Sequence, residues 1–109
     1  MAKYVVLLRH KRKGTLTREL LLKHASHLSS LKQQGKLHLC GPFADDDGAI
    51  LLIEASSLQE AEAFVKKDPF ILEGYYAAAE VHGLIESNEA NNWLMNDPQT
   101  KENMKTPAP

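Results

Sequence analysis

The sequence predicts a small α+β domain with the element order βαββαβ. Three observations favour this class. The length of 109 residues suits one domain. The spacing of the apolar residues alternates between strand-like and helical along the first 86 residues. Two helix starts, at Thr17 and at the capping box of residues 57–60, each lie between predicted strands.

The first predicted strand and helix occupy residues 4–9 and 18–34. The strand is a short apolar run rich in Val and Leu. Thr17 is a suitable N-cap, and Gly35 is a natural residue to end the helix. His27 lies at the edge of the apolar face of the helix. That face consists of Leu20, His24, Leu28 and Leu31.

The middle of the chain predicts two strands joined by a turn. Residues 36–40 alternate as a strand does, and the Gly41-Pro42 step ends it. Residues 45–48 combine three aspartates with a glycine, which are residue types that tolerate positive φ in hairpin turns. Residues 49–55 are strongly apolar, so we expect a buried strand that pairs with the preceding one.

The second predicted helix begins at its capping box, with Ser57 as N-cap and Glu60 at the third helical position. It ends at Asp68, because the residue before Pro69 avoids the helical region. After one further turn, residues 75–85 form the last predicted strand.

Two split βαβ units of this kind place two helices on one face of a four-stranded antiparallel sheet, the ferredoxin-like arrangement. The other face of the sheet stays uncovered, and an extended apolar face is unfavourable in water. We therefore expect a homodimer that packs through its sheet faces. Residues 1–86 form this domain. Residues 87–109 are a polar C-terminal extension, with a short helix at residues 88–95 and a disordered tail after it.

Charge and composition argue against several classes of protein. The net charge is −1 and no basic patch is present, so we expect neither nucleic-acid binding nor attraction to an anionic membrane. The N-terminal apolar run is too short for a signal peptide or a membrane span. Cys40 is the single cysteine, which excludes an intrachain disulfide and fits a cytoplasmic protein.

Histidines are the main candidates for chemistry. The sequence has no phosphate-binding glycine loop, HExxH motif, nucleophile elbow or CxxC motif. His24 and His27 are three residues apart on one helix, a spacing that suits a metal ion. Because no third ligand is indicated, we expect no metal and no cofactor.

A histidine–aspartate pair is the acid–base hypothesis. His27 is expected to reach the sheet edge while partly wet, where an imidazole exchanges its proton near neutral pH. Asp68 is the candidate that orients it, since the two helices lie side by side. The alternative for Asp68 is a helix stop, and the alternative for His24 is a partly buried histidine bonded to a neighbour. Spacing alone leaves open whether His24 or His27 faces a pocket.

The Gly41-Pro42 step has two interpretations. It either ends a strand or forms a rigid pocket wall whose backbone amides approach a ligand. Under the second interpretation, Gly41, Pro42 and His24 are the candidate substrate-binding residues. We interpret Cys40, which precedes the step, as a small buried apolar residue and not as a nucleophile.

Two ordered stretches carry a family resemblance. The first is His27-Leu28-x-x-Leu31-x-x-x-Gly35-Lys36-Leu37-x-x-x-Gly41-Pro42. The second is Ser57-Leu58-x-x-Ala61-x-x-Phe64-x-x-x-Asp68-Pro69-Phe70-x-x-x-Gly74. Together with residues 4–6 they resemble the YciI-like (YCII-related) family of the dimeric α/β-barrel superfamily, over residues 3–86. The chain departs from shorter members in its C-terminal extension and in the extra His24.

The resemblance implies a ferredoxin-like homodimer with an active site centred on His27 and Asp68. Some relatives remove chloride from a chlorinated hydroxyquinol, and others isomerise lactones or oxidise polyketide aromatics. We therefore expect a cofactor-free lyase, dehydrochlorinase or isomerase acting on a small organic acid or aromatic compound. The first alternative is a non-catalytic, homodimeric ligand-binding or accessory module. The second is an interaction protein that docks through the segment around Trp93.

Overall fold

The computed structural model describes residues 1–44 and 47–105 and confirms the predicted α+β class. The first two residues of the predicted turn, 45–46, lie outside the described residues. The last four residues of the predicted tail, 106–109, also lie outside them. The strands are β1 (Ala2–Lys11), β2 (Leu37–Pro42), β3 (Ala49–Ala55) and β4 (Tyr76–Leu84), and the helices are α1 (Arg18–Gln33), α2 (Leu58–Lys66), α3 (Pro69–Leu72) and α4 (Pro98–Asn103). Within the described ranges, no helix has the length and apolar content needed to cross a membrane.

The four strands form one antiparallel sheet in the order β2-β3-β1-β4. The two central strands are therefore β1 and β3. Val6 of β1 lies opposite Leu51 of β3 on one side and Val81 of β4 on the other. This strand order confirms the ferredoxin-like arrangement that the sequence predicts.

The core lies between one face of the sheet and the helices α1, α2 and α3. Leu8 and Ile53, from the two central strands, are each 1% exposed. Burial of side chains of this size contributes roughly 1.5–3 kcal/mol each, and it holds the helices on the sheet. The remaining core side chains include Val6, Leu20, Leu31, Leu51, Ala61, Val65, Phe70 and Tyr76.

The opposite face, here called the outer sheet face, carries apolar side chains that alternate with the core positions. Val5 lies opposite Leu52, and Leu7 lies opposite Ile50. These four residues are half-buried, and Leu39, which pairs with Leu52, is 51% exposed. The sequence predicts that this face packs against a second copy of the chain.

Local signals begin the two long helices where the sequence predicts. The Thr17 hydroxyl accepts a hydrogen bond from the Leu20 amide at 3.1 Å, and the Ser57 hydroxyl accepts one from the Glu60 amide at 3.1 Å. The Glu60 carboxylate reaches one residue farther back than a capping box does, since it accepts bonds from the amide and the hydroxyl of Ser56. Side chains therefore satisfy the exposed amides at both helix starts.

The C-terminal segment contains more structure than the sequence predicts. The predicted short helix is instead a pair of 3₁₀ turns within Glu89–Leu94, separated by a kink with non-helical backbone at residues 91–93, and Asn88 is the N-cap. The helix α4 lies within the stretch predicted to be disordered, where Asp97 accepts a bond from the Gln99 amide at 3.0 Å and Pro98 occupies the first turn. The low apolar content predicted disorder, but an Asp-Pro step is a local helix start that does not depend on burial.

Candidate active site

Asp68 is a buried carboxylate that joins two helices. It is 2% exposed and is the N-cap of α3, with its backbone amide bonded to the Val65 carbonyl at the end of α2. Its Oδ1 atom accepts a hydrogen bond from the Phe70 amide at 2.9 Å and lies 2.8 Å from Nδ1 of His24. One carboxylate oxygen therefore starts α3 and also holds an imidazole of α1 in place.

The His24 ring is fixed on two sides. Its Nδ1 atom contacts Asp68, and its plane stacks on the ring of Phe70 with the centroids 3.6 Å apart and the planes at 6°. A carboxylate at Nδ1 favours the tautomer in which that nitrogen donates its proton, which leaves Nε2 as the nitrogen available to a ligand. The side chain is 14% exposed. His24 is thus an oriented imidazole whose Nε2 atom has no hydrogen-bond partner among residues 1–44 and 47–105.

A cavity of about 360 Å³ lies between α1 and the sheet, and His24 forms part of its wall. This volume falls in the range of roughly 300–1,000 Å³ typical of small-molecule sites. The wall is mostly apolar because α1, β1 and β3 turn their aliphatic side chains toward it. The lining residues are Leu8, Lys11, Leu16, Leu21, His24, Leu28, Cys40, Gly41, Pro42, Ala49, Ile50, Leu51, Phe70, Tyr75 and Tyr76.

The three residues predicted to bind substrate lie together. Gly41 and Pro42, at the end of β2, line the same cavity as His24. Cys40, predicted to be buried, is exposed and lies on the same wall. It is exposed because β2 is an edge strand that pairs only with β3. Asp68 does not line this cavity, but it contacts His24, which does.

His27 is half-buried, and it does not line the cavity that His24 borders. It lies beside Phe64 and Val65 of α2, next to a space of only about 10 Å³, which is at the lower limit for one water molecule. Burial lowers the pKa of the His27 imidazole, with His24 and Lys67 acting in the same direction and Asp68 against it. The hydrogen-bonded partner of Asp68 is therefore His24, whereas the predicted partner is His27.

The aromatic residues of the site were not singled out in the sequence. Phe70 belongs to the Asp-Pro-Phe step, but its stacking on His24 depends on how α3 packs against α1. Tyr75 and Tyr76 follow Gly74 and form an edge-on pair whose centroids are 5.1 Å apart. The central position of His24 in the apolar stripe of α1 was the signal that could have chosen it over His27.

Tyr76 adds a hydrogen-bond donor to the cavity wall. Burial raises the pKa of its phenol, and Tyr75, Asp47 and Asp68 add to the effect. The hydroxyl therefore stays protonated at neutral pH. In residues 1–44 and 47–105, no group of three or more His, Cys, Asp or Glu side chains has an arrangement that holds a metal ion.

Comparison with known proteins identifies the family. The model of the YCII-related domain matches residues 2–106. This chain belongs to the YCII-related family. The match includes the ferredoxin-like domain and extends through the described part of the C-terminal segment. The uncharacterized protein YjpA of Bacillus subtilis (strain 168) is 32% identical to this chain over 71 residues, which make up 65% of this chain and 84% of YjpA.

One similar solved structure has a named activity. It is 5-chloro-2-hydroxyhydroquinone dehydrochlorinase (TftG) from Burkholderia phenoliruptrix AC1100, in complex with 2,5-dihydroxybenzoquinone. The TM-score is 0.57 and the sequence identity is 27%, over 82% of this chain and 99% of that chain. The YCII-related fold thus supports small-molecule chemistry in a chain similar to this one.

Proposed function

We propose that this protein is a cofactor-free acid–base enzyme acting on a small aromatic or carboxylic compound, of the lyase, dehydrochlorinase or isomerase type. The observation that carries the proposal is the His24–Asp68 contact of 2.8 Å, with the His24 ring on the wall of the 360 Å³ cavity. The similarity to a dehydrochlorinase that binds a quinone supports this class of substrate.

In the proposed mechanism, Nε2 of His24 takes a proton from the substrate. For a chlorinated hydroxyhydroquinone, a hydroxyl proton first moves to the ring carbon that carries chlorine, and that hydroxyl becomes a carbonyl. Nε2 then takes the proton of a second hydroxyl while chloride leaves, so that the ring loses HCl and becomes a hydroxyquinone. The Asp68 carboxylate stabilises the imidazolium that forms and keeps Nε2 directed at the cavity. The face of Phe70 adds a favourable contact to the cationic ring. Gly41 and Pro42 position the substrate on the opposite wall.

The test compares two histidine variants. We expect His24→Gln to lower kcat by roughly 10²–10⁴-fold, the usual contribution of a general acid–base group. His27→Gln is the matched control, since its ring lies on the same helix but away from the large cavity. Turnover is assayed with 5-chloro-2-hydroxyhydroquinone, a lactone and an aromatic acid, and circular dichroism checks the fold. Loss of turnover in His27→Gln alone would instead support the pair predicted from the sequence.

A non-catalytic binding module is the second candidate function, because the wall of the cavity is largely apolar. A thermal-shift measurement with the same compounds separates the two functions. An enzyme consumes the compound that stabilises it, and the consumption ends with His24→Gln. Stabilisation with no consumption by the unaltered chain favours a binding module.

A further inference from the structure

Lys11 differs from the other lysines in the described part of the chain. Three lysines there are half-buried, namely Lys3, Lys11 and Lys36. Lys3 pairs with Glu86 at 3.1 Å, and Lys36 pairs with Glu60 at 3.4 Å. Among residues 1–44 and 47–105, Lys11 has no carboxylate partner within ion-pair distance.

The surroundings of Lys11 are apolar. It lies at the end of β1 opposite Tyr76, and its ammonium is 5.8 Å from the centroid of the Tyr76 ring. Of the described residues that line the large cavity, it alone is a lysine or an arginine. A partly desolvated ammonium gains more from an anionic partner than an exposed one does, because the local dielectric is lower.

Asp68, the buried carboxylate of this site, already has its own hydrogen-bond partners. Asp68 is engaged by His24 and by the Phe70 amide. The charge of Asp47 helps to raise the pKa of the Tyr76 phenol. The wall therefore presents one ammonium, one oriented imidazole and two tyrosines to the cavity.

We propose that Lys11 binds the anionic group of the substrate, so that the preferred substrates are single-ring aromatic carboxylates or phenolates. This inference rests on the proposed function of the same site. An engineered cavity of about 150 Å³ holds benzene, so 360 Å³ accommodates one ring with its substituents. Lys11 holds the negative charge at one place on the wall while His24 moves a proton at another. Lys11 thus selects ligands that carry a negative charge.

The experiment compares two ligands of nearly equal shape, 2,5-dihydroxybenzoate and 2,5-dihydroxybenzamide. Isothermal titration calorimetry on the full chain measures both affinities. We expect the acid to bind more tightly than the amide. Lys11→Met weakens acid binding by about 10- to 100-fold, as expected for a hydrogen bond to a charged group, and changes amide binding less than about twofold. Lys13→Met is the matched control, since Lys13 is exposed and does not line the cavity.

The outcomes separate this inference from the proposed function. An equal loss for both ligands, or no preference for the acid in the unaltered chain, overturns the inference. Lys11→Arg keeps the positive charge and should retain the preference for the acid over the amide. If Lys11→Met fails to fold, Lys11→Gln takes its place and should lose that preference. Acid binding that depends on Lys11 without any turnover keeps the inference and contradicts the catalytic proposal. Turnover that is lost in His24→Gln but unchanged in Lys11→Met supports the catalytic proposal and contradicts the inference about Lys11.

Discussion

His24 and His27 show how one turn of helix separates two imidazoles into different roles. His24 meets a carboxylate and an aromatic face on the wall of a cavity. His27 meets the side chains of α2 and almost no free space. Environment and not residue type therefore assigns proton transfer to His24 in our proposal, in the way that paired acids in other enzymes acquire separate roles.

The lowered pKa of His27 predicts how stability depends on pH. The folded state binds its proton less tightly than the unfolded state, where the pKa is about 6.5. The contribution of His27 to the free energy of unfolding is therefore complete above about pH 6.5 and is lost as the pH falls through the folded pKa. Urea denaturation between about pH 7.5 and pH 5 should show a shallower loss for His27→Gln than for the unaltered chain.

The exposed His82 gives the control for this prediction. Its side chain is 64% exposed, so His82→Gln makes the same substitution without changing a buried position. If the unfolding free energy falls equally steeply with decreasing pH in the unaltered chain and in His27→Gln, burial of His27 does not disfavour its charged form.

At the scale of elements, the chain uses the same Asp-Pro start twice with different consequences. Asp68 caps α3 inside the protein, whereas Asp97 caps α4, which has no buried residue in the described chain. Both aspartates accept a hydrogen bond from the amide two residues on, at 2.9 Å and 3.0 Å. The difference between them is therefore tertiary, since only Asp68 also holds His24.

This comparison predicts unequal losses of stability. Asp68→Ala leaves the Phe70 amide and the His24 ring without their buried acceptor, so we expect a loss of about 1–3 kcal/mol in the free energy of unfolding. Asp97→Ala should change it by less than about 0.5 kcal/mol, because α4 frays without exposing a core. Chemical denaturation measures both values. Similar losses for the two variants would show that the interior contact of Asp68 adds little to its cap.

At the scale of the whole molecule, the outer sheet face predicts the assembly. Its apolar side chains lie on the two central strands and on β2, opposite the face that the helices cover. We propose that this face forms the homodimer. The described core side chains all precede residue 87, so we also propose that residues 1–86 are the folding unit.

Light scattering after size-exclusion chromatography tests the dimer. The unaltered chain should elute with twice the mass of one chain. Leu7→Lys places a charge at the centre of the outer sheet face and should raise the dimer dissociation constant at least about tenfold, since desolvating an unpaired charge is unfavourable. Leu22→Lys, on an exposed part of α1, is the control and should remain a dimer. A chain ending at residue 86 that dimerises normally would argue against docking through Trp93.

Much of the fold was predictable because its signals are local. Each signal determines the structure of only a few neighbouring residues. These signals are the apolar strand runs, the caps at Thr17 and Ser57, and the Asp68-Pro69 step. Their order then left few ways to assemble a sheet. The low apolar content of residues 96–109 predicts disorder, whereas the structure has α4 there, because its Asp97 cap is as local as the others.

The sequence by itself determined the α+β class and the family, and it placed His24, Asp68, Gly41 and Pro42 among the candidate site residues. Helical period also placed His24 on the inward face of α1. Only the tertiary structure decided that Asp68 contacts His24 and not His27, that Phe70 stacks on that ring and that Lys11 lines the same cavity. The physical reason is that the partners of His24 lie more than 40 residues away, and a helix face does not reveal which side chain of α3 it will meet.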